Sequence, residues 1–483
     1  MLNYRSFALR KLASLAPKYL PFADVASETV PLSRLLRLSL FQVTVGMALV
    51  LLVGTLNRVM IVELSVPASI VAVMLALPLL FAPLRTLIGY KSDTNVSALG
   101  LRRVPYIWKG TMYQFGGFAI MPFALLVLSG YGEAYDAPLW IGHSAAALAF
   151  LLVGAGLHMV QTVGLALATD LVDEEDQPKV VGLMYVMLLV GMVVSALIFG
   201  ALLENYSPGR LIQVIQGSAV LTVALNLFAL WKQEARDRVR AQAMLEARPE
   251  KFEHAMRGLI ARPGLKPLLL VIAFGTFGYG MADVLLEPYG GQALGLSVAD
   301  TTKLTALLAG GTLIGFGIAS RLLGQGGSPL RLGRIGALIG IPGFAAIILS
   351  SMGGGVAMFL AGTLATGLGA GLFGHATLTA TMRAAPKDQI GLALGTWGAV
   401  QATCAGLSVA LAGIVRDIIV GASGPAGIAS HAPYNVVFMI EIVMLMLAVI
   451  LAFRLGQGRE DPRSHPRVGR HATGTEQKSV EVS

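Results

Sequence analysis

About twelve windows of roughly 20 predominantly apolar residues recur along the chain, each long enough for a helix to cross about 30 Å of hydrocarbon. They fall near 37–56, 66–84, 107–129, 142–168, 180–203, 211–231, 267–286, 302–322, 333–350, 355–378, 391–415 and 434–454. A segment in lipid must satisfy its own backbone groups, and a helix does so within itself. The chain therefore reads as an all-α polytopic membrane protein with twelve transmembrane helices. Composition agrees: 55% of residues are apolar, only 13% are charged, and the mean hydropathy is +0.72, far from an ordinary soluble globule.

A formal charge of +9 invites a nucleic-acid reading, but the placement of the charges argues against it. With the N-terminus inside, every lysine and arginine except Arg58, Arg210, Lys303 and Arg416 falls on one side of the membrane, a positive-inside pattern. Both termini are then expected to be cytoplasmic, with the basic excess facing anionic headgroups. Residues 1–36 hold no compact apolar core followed by a small-residue cleavage site, so the first helix is expected to be its own insertion signal. Leu9, Leu12, Ala13, Ala16 and Leu20 share a helical face beside Arg10, Lys11 and Lys18, which suits an interfacial helix or a basic arm. Cys404, the single cysteine, lies in a span. It excludes an intrachain disulfide or a thiolate cluster.

Polar residues inside the spans nominate a site. Gly154 to Asp170 reads GAGLHMVQTVGLALATD, and its His158, Gln161 and Thr162 share one helical face. Such a stripe belongs against other helices, a water-filled cavity or a ligand rather than lipid. Gly154, Gly156 and Gly164 would let another helix approach closely. Asn57, Arg58 and Glu63 are expected at the outer boundary after the first span. Arg58 could pair with Asp283, near the corresponding position of span seven, or locally with Glu63. Glu287 lies beyond Asp283, and Glu441 in span twelve has no evident partner. His375 in span ten is displaced two positions from the register of His158, so the two do not form a matched ligand pair.

The second half of the sequence repeats features of the first. GAGLHMVQTVGLA from Gly154 is echoed by GAGLFGHATLTAT from Gly369, each followed by an Asp-Gln pair, Asp176-Gln177 or Asp388-Gln389. Two six-span bundles, 37–231 and 267–455, are expected between an arm at 1–36, a cytoplasmic linker at 232–266 and a tail at 456–483. In such repeats the binding site lies at the interface near the membrane midplane. Between spans two and three, Gly89, Asp93, Arg102 and Arg103 follow in the order that marks the major facilitator superfamily. The motif would act as a charge latch or simply form a basic loop. No hydrolase, P-loop or CxxC motif sits in a loop where water chemistry could occur, so an enzyme is not expected.

LNRVMIVEL at Leu56–Leu64, GYKSD with RRVPYIWKG through Gly110, and GAGLHMVQTVGLALATDL through Leu171 resemble the bacteriochlorophyll-delivery branch of the major facilitator superfamily. These are the PucC/LhaA-type light-harvesting assembly proteins of purple phototrophic bacteria. The resemblance spans roughly residues 30–455 and is strongest in the first half. It implies twelve helices and a role in building antenna complexes, by holding or delivering bacteriochlorophyll to antenna polypeptides. The place it implies is the photosynthetic inner membrane, near pigment-synthesis enzymes and the insertion machinery, and the core antenna is the preferred client. Under that resemblance His158 becomes a candidate axial ligand to pigment magnesium, Gln161 and Thr162 candidate donors to ring carbonyls, and Gly154, Gly156 and Gly164 candidate contacts that would let a flat ring, or another helix, approach closely. Proton-coupled transport of a small solute or of pigment, and a pigment-free scaffold, stand as the alternatives.

Overall fold

The computed structural model describes residues 30–80, 88, 92, 101–130, 136–173, 176–234, 257–385, 390–422 and 429–460. Gly89, Asp93, the Asp388-Gln389 pair, most of the N-terminal arm, most of the linker and the tail beyond 460 lie outside these residues.

The helices of the first half are α1 (Leu32–Glu63), α2 (Ala68–Leu80), α3 (Val104–Ser129), α4 (Leu139–Thr169), α5 (Gln177–Leu202) and α6 (Pro208–Leu230). Those of the second are α7 (Leu265–Leu294), α8 (Val298–Gly324), α9 (Pro329–Leu349), α10 (Gly355–Ala384), α11 (Ile390–Ala422) and α12 (Ala432–Glu460). Among the described residues, ten helical stretches are long and apolar enough to cross a membrane, one of them, Pro329–Ala384, being α9 and α10 in continuity. Positive φ at Gly353 and Gly355 separates those two, a conformation glycine adopts without a Cβ penalty. With α2, a shorter apolar helix, the described residues hold a helix at each of the twelve expected places. The protein is a multi-pass membrane protein.

Corresponding helices pack alike in the two halves, α3 on α4 and α9 on α10 most extensively. Between halves, α2 lies along α11, α5 along α8, and the end of α1 against α7 and α8. Aromatic and aliphatic side chains such as Phe123, Trp140, Val220, Phe228 and Trp231 remain exposed. In water these would be a liability, whereas lipid is their natural neighbour.

At the end of the bundle carrying Arg102 and Arg103, polar groups bind the first half together. The backbone N–H groups of Arg102, Arg103 and Val104 open α3 without intrahelical partners and donate to the Glu234 carboxylate at 2.7, 2.9 and 2.9 Å. Both guanidinium groups reach Asp170 at the end of α4, Arg102 at 2.6 Å and Arg103 at 2.5 and 3.1 Å. The arginines of the loop motif thus join α3 to α4. Asp170 and Glu234 are their acids, and sequence order alone named neither as a partner.

Candidate functional site between the halves

Pro288 lies inside α7. Its missing N–H leaves the carbonyl four residues back, that of Val284, without a helical partner. The first half supplies the donor: Asn57 Nδ2 donates to Val284 O at 2.7 Å. Asn57 is fully buried and sits where α1 widens into π-helical turns, over Val50–Leu56 before it and Val59–Glu63 after it, a distortion frequent at functional sites.

The next residue, Arg58, is 3% exposed. It pairs with Glu63 and donates to the Leu296 carbonyl at 3.0 Å. Its guanidinium lies over Gly291, where a Cβ would stand 3.0 Å from Nη2. Consecutive side chains of α1 therefore hold α7 and the turn beyond it at separate points. Tyr206, in the turn between α5 and α6, feels the same pair. Burial and then Glu63 raise its phenol above the ordinary value, against Arg58.

Asn57 and Arg58 are buried against other helices, and α1 stays helical through them to Glu63. Arg58 also pairs with Glu63 rather than Asp283. Gly291 lies two turns beyond Asp283, about 12 Å along α7, so the guanidinium is at a different level.

Asp283 instead faces a small cavity of about 140 Å3 between the halves, lined by Leu49, Val53 and Gly54 of α1, Met192 of α5, and Asp283 and Glu287 of α7. Asp283 is exposed to that space, whereas Glu287 is 4% exposed and accepts a hydrogen bond from the Thr305 hydroxyl of α8. Gly54 makes the close crossing possible, since a Cβ there would lie 2.7 Å from Glu287 Oε1. Two carboxyl groups thus line an internal cavity rather than lipid, the arrangement expected of intramembrane acids.

Glu441 does find a partner. α7 is interrupted at Met281, between Leu265–Gly280 and Ala282–Leu294. The Ala282 N–H there donates to Glu441 Oε1 at 2.6 Å. Glu441 is fully buried and works as a cap supplied by α12.

On α4, His158 and Gln161 are buried, at 8% and 9% exposure, and Thr162 is half-buried. The glycines beside them serve helix crossings. A Cβ on Gly154 would stand 2.3 Å from Pro78 Cγ, one on Gly156 2.5 Å from the Gly110 carbonyl and 2.7 Å from the Gln114 nitrogen, and one on Gly164 2.6 Å from Phe41. Gly154 and Gly156 therefore leave no slot for a ring, in contrast to their nomination as pigment contacts. Gly156→Val should destabilise the protein by about 1–3 kcal/mol through overpacking of α3 on α4, read as a lower melting temperature. An unchanged melting temperature would show that the crossing is not tight.

His375, 8% exposed on α10, borders two further cavities shared among α5, α8, α10 and α11. Sequence reading named His375 but not the aromatic residues around it, Tyr185, Phe316 and Trp397. They are scattered over three helices and carry no common motif. Among the described residues, no group of three or more His, Cys, Asp or Glu side chains is arranged to hold a metal ion.

Two six-helix halves enclosing acids and polar side chains at their interface define a fold of the major facilitator class. A bacterial homologue of the human lysosomal transporter Spinster, solved in an inward-facing and unoccupied conformation, has the same fold. It is 16% identical, with a TM-score of 0.65 over 88% of this chain and 96% of that one. The chain belongs to the PUCC protein family, whose model matches residues 55–459. Protein PucC of Rhodobacter capsulatus is 70% identical over 94% of this chain and 99% of that protein. A more distant relative from the same organism, named bacteriochlorophyll synthase 44.5 kDa chain, is 26% identical over 87% of this chain and 94% of its own length.

Proposed function

We propose that this protein is an assembly factor for bacterial light-harvesting antenna complexes, which binds bacteriochlorophyll and delivers it to antenna polypeptides. Membership of the PUCC family along nearly the whole of the helical region carries the reading. A distant relative, 26% identical, is named bacteriochlorophyll synthase 44.5 kDa chain, and the motifs of α1, α3 and α4 resemble the delivery branch. An apolar interior with cavities between the halves suits a ring that water would aggregate. The site of action is the photosynthetic inner membrane with both termini cytoplasmic, consistent with the one-sided distribution of basic residues. Antenna polypeptides are the clients, and pigment-synthesis enzymes and insertion machinery are the neighbours that would supply pigment and newly inserted helices.

A second reading, proton-coupled transport, is favoured by one observation: Asp283 is open to the inter-half cavity beside Glu287. One experiment separates the readings. The gene is deleted in a pigment-producing phototroph and restored either intact or as Asp283→Asn, and antenna absorption is measured in membranes. Loss on deletion with full recovery by both forms is the result expected of an assembly factor. Recovery by the intact form alone favours transport, and undiminished antenna in the deletion strain overturns the assembly role. The core antenna is the preferred client; loss of the peripheral band alone would overturn that choice.

A further inference from the structure

We infer that a groove between α3 and α6, at the end of the bundle carrying Arg102 and Arg103, binds the phosphate headgroup of an anionic phospholipid. Val104 and Trp108 of α3, Leu227 and Leu230 of α6, and Trp231 and Lys232 just beyond α6 enclose about 290 Å3. Trp108, Trp231 and Lys232 are exposed. Every polar side-chain group in this lining is a donor, two indole N–H groups and one ammonium. Among the described residues, none of these three groups has a hydrogen-bond or ion-pair partner.

The other charges at this end are engaged. Arg102 and Arg103 bind Asp170, Arg34 donates to the Gln233 carbonyl at 2.8 Å, and Lys109 lies 5.3 Å from the ring centroid of Tyr106. The Glu234 carboxylate is taken up by the N–H groups that open α3. That leaves Lys232 as a cation with no acid paired to it. A lining of free donors with one cation suits an anion whose oxygens only accept, as those of a phosphate diester do.

The turn that carries Trp231 and Lys232 is held from both sides. Lys232 has φ of +53°, in the left-handed region that a residue with a Cβ seldom adopts. The next residue, Gln233, is fully buried. It accepts from Arg34 Nε at 3.2 Å and donates from Nε2 to the Arg34 carbonyl at 3.2 Å. Glu234 then fixes the chain to the start of α3. Trp231 and Lys232 are thus presented to the groove in a set position.

Charge and surroundings together select a lipid. Farther along the same two helices, Phe115 and Phe123 of α3 and Val220, Leu221 and Phe228 of α6 are exposed. A Cβ on Gly116 or Gly217 would meet nothing within 4 Å, so no described helix covers the helices there. The groove has room for a phosphate and a small polar headgroup, and acyl chains would continue over the apolar side chains outside it. Indole rings beside a lysine suit the membrane interface, where the rings sit at headgroup level and the cation meets anionic lipid. A soluble phosphate would leave the apolar surface unused.

The test places full-length protein in phosphatidylcholine bilayers and compares tryptophan quenching by brominated phosphatidylglycerol and brominated phosphatidylcholine at equal mole fraction. Trp140→Phe leaves Trp108 and Trp231 as the exposed reporters. Trp108→Phe with Trp231→Phe leaves Trp140, exposed at the start of α4 and so at the opposite end of the bundle. Trp397 is buried and gives a constant background. The groove pair should report about fivefold tighter binding of the anionic lipid, the factor equivalent to about 1 kcal/mol for one basic residue near the surface. Trp140 should report no preference. In the Trp140→Phe protein, Lys232→Gln should abolish the preference and Lys232→Arg should keep it. Lys266→Gln, at an exposed lysine outside the groove, should also keep it, and monodisperse elution checks the folding of each variant. Equal quenching by the two lipids, the same preference at Trp140, its persistence in Lys232→Gln or its equal loss in Lys266→Gln overturns the site. Displacement of the anionic lipid by millimolar inorganic phosphate would assign the groove to a free anion and overturn the lipid.

Discussion

Glu441→Ala should destabilise the detergent-solubilised protein by about 2–4 kcal/mol, whereas Glu441→Gln should retain most of the wild-type stability. The Ala282 N–H opens the outer segment of α7, and its partner is Glu441 Oε1 at 2.6 Å. Alanine removes that acceptor from a fully buried position, leaving a backbone donor in an apolar surround. Glutamine keeps an acceptor oxygen of nearly the same reach. Thermal unfolding followed by gel filtration reads the difference. Equal losses in the two variants would mean that the carboxyl acts through charge and not as a cap. Because the interrupted helix also carries Asp283 and Glu287, loss of the cap should loosen the cavity as well as lower stability.

Asn57→Leu should cost about 1–2 kcal/mol, and Pro288→Ala in the same chain should recover much of it. Proline at 288 deprives the Val284 carbonyl of its helical donor, and Asn57 replaces that donor across the interface at 2.7 Å. Alanine at 288 returns an N–H to the ladder, so the carbonyl no longer depends on the first half. The two substitutions should therefore be coupled in a double-mutant cycle. Purely additive effects would remove the freed carbonyl as the reason for the contact. Pro288 and Asn57 together make a junction that requires the halves to be closed at this level.

Hydropathy reached the fold because crossing lipid is a property of each segment by itself. The length of an apolar run and the need to satisfy its backbone specify a helix wherever that run sits. The twelve spans are legible for that reason, and the echo of GAGL at Gly154 and Gly369 shows that the chain is built from a repeated unit. Burial of His158, Gln161 and His375 was legible too, since a polar group inside a span avoids lipid.

Partnership was not legible in the same way. Arg58 could have met Asp283 or Glu63, and only the length of the ordered helices put it beside Glu63 and Leu296. Glu441 showed no partner because the group it binds is a main-chain N–H, which has no signature in side-chain order. The glycines at 154 and 156 read equally as room for a ring or for a helix, and Pro78, Gly110 and Gln114 settled which. By itself, the amino-acid sequence determined a twelve-helix membrane bundle in two related halves and the polar residues that must avoid lipid. Tertiary structure decided which of them meet and where space remains, because those depend on helix register and crossing distance across residues hundreds of positions apart.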